Sequence, residues 1–185
     1  MKTKGTNWRG MKAYLNQHYS PEAIDRVAAA LDEKSKEVFI KDTILPISWV
    51  DYSMYMKILL TADKVLGRGD FELIRQTNYF CAHHDIRGIY SVLVSLLSPK
   101  TVINALARLL NTYYDCGKLK VENLQSHSVT IIIEHVPDIP LHHDIEQGSY
   151  VAEVLRMAGA KNIELSHPKC MARMDRNCMF NIRWQ

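Results

Sequence analysis

The hydrophobic period of this chain changes near Gly117, and that change limits what the chain can fold into. Before it, apolar residues recur at helical spacing. Ile24, Val27, Ala28 and Leu31 form one such set. Tyr52, Tyr55, Met56, Leu59, Leu60 and Ala62 form a second, and Val102, Leu106, Leu109, Leu110 and Tyr113 a third. After it the period shifts toward two. Leu119 and Val121 alternate with Lys118, Lys120 and Glu122, and residues 129–133 read Val-Thr-Ile-Ile-Ile. At the end of the chain Cys178, Phe180, Ile182 and Trp184 share one face, with Asn181 and Arg183 on the other. A helical segment cannot exchange roles with a strand of period two. The pattern therefore predicts an α+β fold in which the helical first two thirds pack on a four-stranded antiparallel sheet, formed mainly by the last third.

Local signals place the boundaries. A first helix is expected over about Trp8 to His18. Ser20-Pro21-Glu22 supplies a capping hydroxyl, a first-turn proline and an early acid. Asp32 to Lys36 reads as a polar connecting stretch, and Ile44 to Trp49 as extended chain around Pro46. Asp51 caps a helix running to about Leu66, which Gly67-Arg68-Gly69 stops. Asp70 caps another, expected to reach about Leu97 with a break near Gly88. Ser98-Pro99 opens the next, and Gly117 lies just past its end. A further helix is expected from about Asp144 to Ala158, and strands around Ile163 to Leu165 and from Cys178 to Trp184.

A length of 185 residues suits one domain, taken here as residues 1–185. The net charge of +3 is too small for the basic stripe of a nucleic-acid binder. No apolar run approaches the ~18 residues that span a bilayer, and the N-terminus has no apolar signal core. A cytoplasmic location is expected, with Cys81, Cys116, Cys170 and Cys178 as thiols or ligands instead of disulfides.

Several short stretches, in their order and spacing, resemble the 4-vinyl-reductase-like and transport-particle-like ligand-binding superfamily. They are Leu45-Pro46-Ile47-Ser48-Trp49, Gly67-Arg68-Gly69-Asp70, Leu97-Ser98-Pro99, Tyr113 through Leu119, Gly148, Gly159-Ala160 and Cys170 through Trp184. Within that group the chain is most similar to a bacterial paralogous family. The resemblance implies dimers formed through helices, and a small apolar or aromatic ligand held between helices and sheet. It also implies that some relatives act as sensor domains and others as tethering-particle subunits.

In phenol-responsive sensors of that group, a structural zinc lies near the C-terminus. It is held by an acid three residues before a cysteine, a second cysteine eight positions later, and a cysteine upstream. Here Cys170 and Cys178 match the pair, and His167 takes the place of the acid. His142 or His143 would have to replace the upstream cysteine; His142 is taken as the fourth ligand. Two thiolates and two imidazoles suit zinc. The competing reading makes both cysteines small core residues beside Phe180 and Ile182.

Trp49, Tyr55, Tyr79, His84 and Tyr90 are the candidate ligand-binding residues, as rings with one polar tip that can line a pocket. Cys81, His84 and Asp85 lie three to four residues apart on one side of a helix. A metal, haem or thiol role for them would need partners that the sequence does not identify. There is no dinucleotide fingerprint and no assignable catalytic triad, so no catalytic residue is expected. The expected function is a non-enzymatic ligand-binding or sensory module with an apolar pocket between helices and sheet, acting through a homodimer or a protein partner. The alternatives are a dimerising scaffold with a filled core, or a zinc-stabilised variant of the same domain.

Overall fold

The computed structural model describes residues 1–41 and 43–185, and the side chains of all of these but Leu110 and Asn111. The chain runs β1 (Lys2–Lys4), α1 (Gly5–His18), α2 (Pro21–Ala29), α3 (Glu33–Lys41), β2 (Trp49–Asp51) and α4 (Tyr52–Leu66). Next come α5 (Glu72–Asp85), α6 (Ile89–Ser95), α7 (Pro99–Tyr113), β3 (Lys118–Glu122) and β4 (Ser128–Glu134). It closes with α8 (His143–Met157), β5 (Glu164–Lys169), a 3₁₀ turn (Met171–Arg173) and β6 (Cys178–Arg183). The α+β class expected from the sequence is the one observed.

The caps act as their residue types require. Ser20 Oγ accepts from Ala23 N–H at 3.4 Å, Asp51 Oδ1 from Met54 N–H at 2.8 Å, and Ser98 Oγ from Thr101 N–H at 3.2 Å. At the α4–α5 corner the decisive carboxylate is Asp63, not Asp70. Asp63 is buried and accepts from Phe71 N–H at 2.9 Å and Leu73 N–H at 3.0 Å. Asp70 takes only Glu72 N–H at 3.1 Å.

The remaining boundaries match the expected ones only in part. Asp32 to Lys36 is the start of α3, because Asp32 Oδ1 caps Ser35 N–H at 3.2 Å. The break expected near Gly88 is present: the stretch up to Leu97 is two helices, α5 and α6, separated where Gly88 takes φ +63°. A two-stranded sheet of β1 and β2, pairing Thr3 with Val50, was not expected from so polar an N-terminus. Of the stripe on α7, Val102 is buried, Leu109 is 43% exposed, and the side chain of Leu110 lies outside the described residues.

The main sheet is antiparallel in the order β3-β4-β6-β5. Ile131 stands opposite Phe180, Ile133 opposite Cys178, and Val129 opposite Ile182, all buried. α8 packs along α5, and α7 approaches both α8 and β3. α1 also lies close against α5: a Cβ on Gly10 would sit 2.6 Å from Cys81 Sγ. Two apolar clusters result. One, around Trp8, Tyr52, Tyr55 and Leu59, lies among the N-terminal helices. The other, around Ile103, Leu155, Phe180 and Trp184, lies between α7, α8 and the sheet. Among the described residues no helix is long and apolar enough to cross a membrane.

Candidate functional site

A cavity of about 210 Å³ lies where the two clusters meet. Ile103, Leu106 and Ala107 of α7 form part of its wall, with Ile131, Phe180 and Ile182 of the sheet. α5 contributes Asn78, Cys81 and Asp85, spaced three and four apart so that they share one helix face. α8 contributes Glu146, Gln147, Tyr150 and Val151, and α4 contributes Tyr55.

The polar groups here are arranged around Glu146, which is buried. Tyr52 O–H donates to its Oε2 at 2.6 Å and Tyr114 O–H at 3.5 Å, while the Gln147 side-chain Nε2–H donates to Tyr52 Oη at 3.3 Å. Burial raises the carboxyl pKa to about 7. Burial also pushes the phenols of Tyr52, Tyr55 and Tyr114 well above their ordinary value, with Glu146 adding to each. Asp85 is raised by burial and accepts from Tyr150 O–H at 3.3 Å. The ring of Tyr55 stacks on Tyr52 at 6.2 Å, yet its hydroxyl has no hydrogen-bond partner among the described residues.

Of the five rings expected to bind a ligand, the structure brings Tyr55 to this cavity. Trp49 is 42% exposed on β2, with Lys4 Nζ 3.8 Å from its ring centre. Tyr79 is one helical step away from the face holding Asn78, Cys81 and Asp85, and lies under the Arg156 guanidinium. His84 stacks on Phe80 at 5.7 Å, and its Nδ1 lies 3.6 Å from Asp85 Oδ1. Tyr90, on α6, is 65% exposed. Sequence reasoning missed Glu146, which reads as one more polar residue on an amphipathic helix. Its partners Tyr52 and Tyr114 lie 94 and 32 residues away.

A second cluster lies behind the sheet end of the cavity. The ligand-capable atoms of His143, His167, Cys170 and Cys178 all fall within 4.8 Å of one another. A tetrahedron with bonds of about 2.0–2.3 Å has edges of roughly 3.3–3.8 Å, so slight inward movement suffices. Cys178 Sγ and His143 Nε2 are already 3.4 Å apart. His143 stands here instead of His142. As the residue before α8, His142 has φ +65° and packs its ring on Phe71 at 4.6 Å. His143 hydrogen-bonds through Nδ1 to Pro140 O at 2.8 Å, which turns Nε2 toward the thiols.

The turn between β5 and β6 is preformed around the sulfurs. Cys170 N–H donates to Asp175 Oδ2 at 2.7 Å, and Met171 N–H to Cys178 Sγ at 3.3 Å. Burial pushes the His143 imidazole down to about 4 and the Cys178 thiol up to about 12. The His167 side chain is 4% exposed. Asp144 Oδ2 approaches its Nδ1 at 3.4 Å, but neither ring nitrogen makes a hydrogen bond among the described residues. The Phe180 ring stacks on His167 at 4.3 Å while also lining the cavity, so the two sites share a wall.

No protein-family model and no curated protein matches the chain. Solved structures do. A mutant H-NOX protein from K. algicida, Fe(II) unliganded, matches with a TM-score of 0.70 at 13% identity, over 98% of this chain and 96% of that one. An H-NOX protein from S. oneidensis in the Fe(II)NO ligation state matches with a TM-score of 0.69 at 11% identity, over 98% and 99%. A structure from work on modulating heme redox potential through porphyrin distortion matches at 0.60 and 9%, over 97% and 99%. At such identities the likeness shows the fold alone. It corrects the resemblance read from the sequence: the neighbours are H-NOX proteins, not 4-vinyl-reductase-like or transport-particle proteins. Helix stops, caps and a closing strand are features that different α+β families share.

Proposed function

We propose that this protein is a non-enzymatic, cytoplasmic small-molecule-binding module whose cavity between α7, α8 and the sheet holds the ligand. The observation that carries this reading is the 210 Å³ space itself, bounded by apolar side chains with a few converging polar groups. Protein interiors are otherwise close-packed, so a space of this size at the junction of two cores stands out as room for a small occupant. The test is native mass spectrometry of the purified protein before and after denaturation. A co-purifying small mass, released on unfolding, is the expected result; its absence together with failure to bind any added small molecule would overturn the reading.

The fold neighbours include heme proteins, so haem is the first ligand to weigh. The residues present do not fit it. None of the eight histidines lines the cavity. Cys81 lines it, but burial drives its thiol far up, and the lining tyrosines Tyr55 and Tyr114 are likewise held protonated. Asp85 and Glu146 stand in the wall, with no lysine or arginine among the lining residues to receive haem carboxylates. The space is also near the size of an engineered cavity of about 150 Å³ that takes benzene. It is below the range of about 300–1,000 Å³ typical of larger ligands.

The same reading gives His143, His167, Cys170 and Cys178 to a zinc ion. Four protein donors close the coordination shell, which is the pattern of a structural zinc and not a catalytic one. The support is the convergence of four donors and the absence, among the described residues, of a hydrogen bond to either His167 nitrogen. Such an ion would tie the β5–β6 turn to the start of α8. Elemental analysis tests it: about one zinc per chain is expected, and a metal-free protein of full stability would refute it.

The expected homodimer also belongs here. α6 has no buried residue, and it exposes Ile89, Tyr90, Val92 and Leu93, with Leu96 just beyond its end. Such a face suits contact with a second copy, through which occupancy of the cavity is passed on. Light scattering on wild type and Leu93→Glu checks this; a monomer at every concentration would remove it.

A further inference from the structure

The cavity wall carries more information than its volume, because its polar groups are unequally occupied. Glu146 Oε2 is taken by two phenols, Tyr52 and Tyr114. Asn78 turns its amide to Ile74 O at 2.8 Å, and Asn7 turns its amide to Thr3 Oγ1 at 2.8 Å. Asp85 is met by Tyr150. Tyr55 differs. It is 0% exposed, and among the described residues its hydroxyl is the buried polar atom of the lining left without a partner. A buried hydroxyl without a partner is costly, and the neighbouring ring of Tyr52 cannot relieve it.

We propose that the cavity ligand is a neutral molecule of one or two rings bearing a single carbonyl or hydroxyl oxygen, whose oxygen pairs with the Tyr55 hydroxyl once a small shift of the surrounding wall uncovers it. This rests on the ligand-binding reading above. Size limits the ligand to one or two rings. The apolar wall of Ile103, Leu106, Ile131, Phe180 and Ile182 selects a largely apolar body. Neutrality follows from the company. An anion would face Glu146 and Asp85, with no lining lysine or arginine to offset them, and the Glu146 oxygen best placed for a cation is already held by Tyr52. A site with one unpaired polar group discriminates sharply against a ligand that leaves it unpaired.

The experiment is calorimetric titration of the full chain with four probes. Acetophenone carries one accepting oxygen on one ring, and isopropylbenzene has the same outline without it. Benzoate and benzylamine carry opposite charges. Acetophenone is expected to bind about tenfold more tightly than isopropylbenzene, and more tightly than either ion. Tyr55→Phe keeps the ring and its packing. It is expected to lower acetophenone affinity to that of isopropylbenzene while leaving isopropylbenzene unchanged. Equal binding of the two neutral probes to wild type, a preference surviving in Tyr55→Phe, or tightest binding of benzylamine or benzoate would each overturn the proposal.

Ala107→Phe, which fills the cavity from α7, separates this failure from failure of the broader reading. If no probe binds, but native spectra show a co-purifying mass that Ala107→Phe excludes, the ligand class is wrong and ligand binding stands. If no probe binds and no such mass exists, both fall.

Discussion

The helical core and the sheet-side core treat buried polarity in opposite ways. Among the N-terminal helices, buried polar groups are mostly answered within the protein. Asp63 receives two backbone N–H groups, Lys12 Nζ donates to Phe39 O at 3.1 Å, and Thr77 donates to Leu73 O at 2.8 Å. Nearer the sheet, polar atoms converge and stay open. Among the described residues both His167 nitrogens lack hydrogen bonds, two thiols and two imidazoles converge, and Tyr55, the member of the helical cluster that reaches the cavity, keeps an unpartnered hydroxyl. Burial without a partner is costly. The contrast therefore separates polarity that builds the fold from polarity that awaits something added. The open groups differ among themselves as well. The Cys–His cluster leaves room for an ion, while the cavity leaves room for a molecule.

The strongest way to break this contrast is Cys170→Ser. If the cluster holds zinc, the variant loses the metal, and a loss of about 5 kcal/mol is expected. That corresponds to a fall in melting temperature of roughly 10–20 °C for a chain of this size. Metal content and calorimetry measured together decide it. An unchanged melting temperature would return Cys170 and Cys178 to the role of packed core residues. Next in size is Asp63→Ala, which leaves the buried Leu73 N–H and the part-buried Phe71 N–H unpaired and is expected to cost about 4 kcal/mol. Zinc content and cavity affinity per folded molecule should stay constant. If either falls, polarity in the helical core is not confined to structure and the contrast weakens.

The same division explains what the sequence revealed. Helices and strands were legible because their causes are local: caps at Ser20, Asp51 and Ser98, a stop at Gly67, and alternation through Cys178 to Trp184. The β1–β2 pair was hidden because its partners lie 45 or more residues apart, and Lys2-Thr3-Lys4 carries no strand signal. For the site, His167, Cys170 and Cys178, which share one hairpin, were singled out by the zinc pattern that the family resemblance implied. Choosing between His142 and His143 needed the helix entry, where a left-handed residue turns one ring outward to Phe71 and the next inward. Tyr55 was visible as an aromatic on a buried stripe. Glu146 was not, since nothing local distinguishes a buried acid from a solvated one in the same helix. The family resemblance failed for a related reason. The stretches that carry it are boundaries and turns, which report element order but not tertiary arrangement.

Glu146 offers the smallest and most discriminating test, through pH. Its carboxyl titrates near 7 in the folded protein, against an ordinary value of 4.5. The groups facing it are Tyr52 and Tyr55 from α4 and Tyr114 beyond α7, with Gln147 acting through Tyr52, and none of these phenols titrates in that range. Below pH 4.5 the carboxyl is protonated in both states. Between 4.5 and 7 the folded state binds more protons than the unfolded one, so stability falls as pH rises. The slope reaches at most about 1.4 kcal/mol per unit, and the whole window is worth roughly 3 kcal/mol. Above 7 the curve levels. Glu146→Gln keeps the shape and removes the titration. Subtracting its denaturation curve from that of wild type at each pH also cancels the histidines of the metal-type cluster. A difference that declines from pH 4.5 to 7 and then flattens is expected. A difference that rises over the same interval would mean the carboxylate is stabilised in its ionised form, and the cavity would then be built to hold a cation.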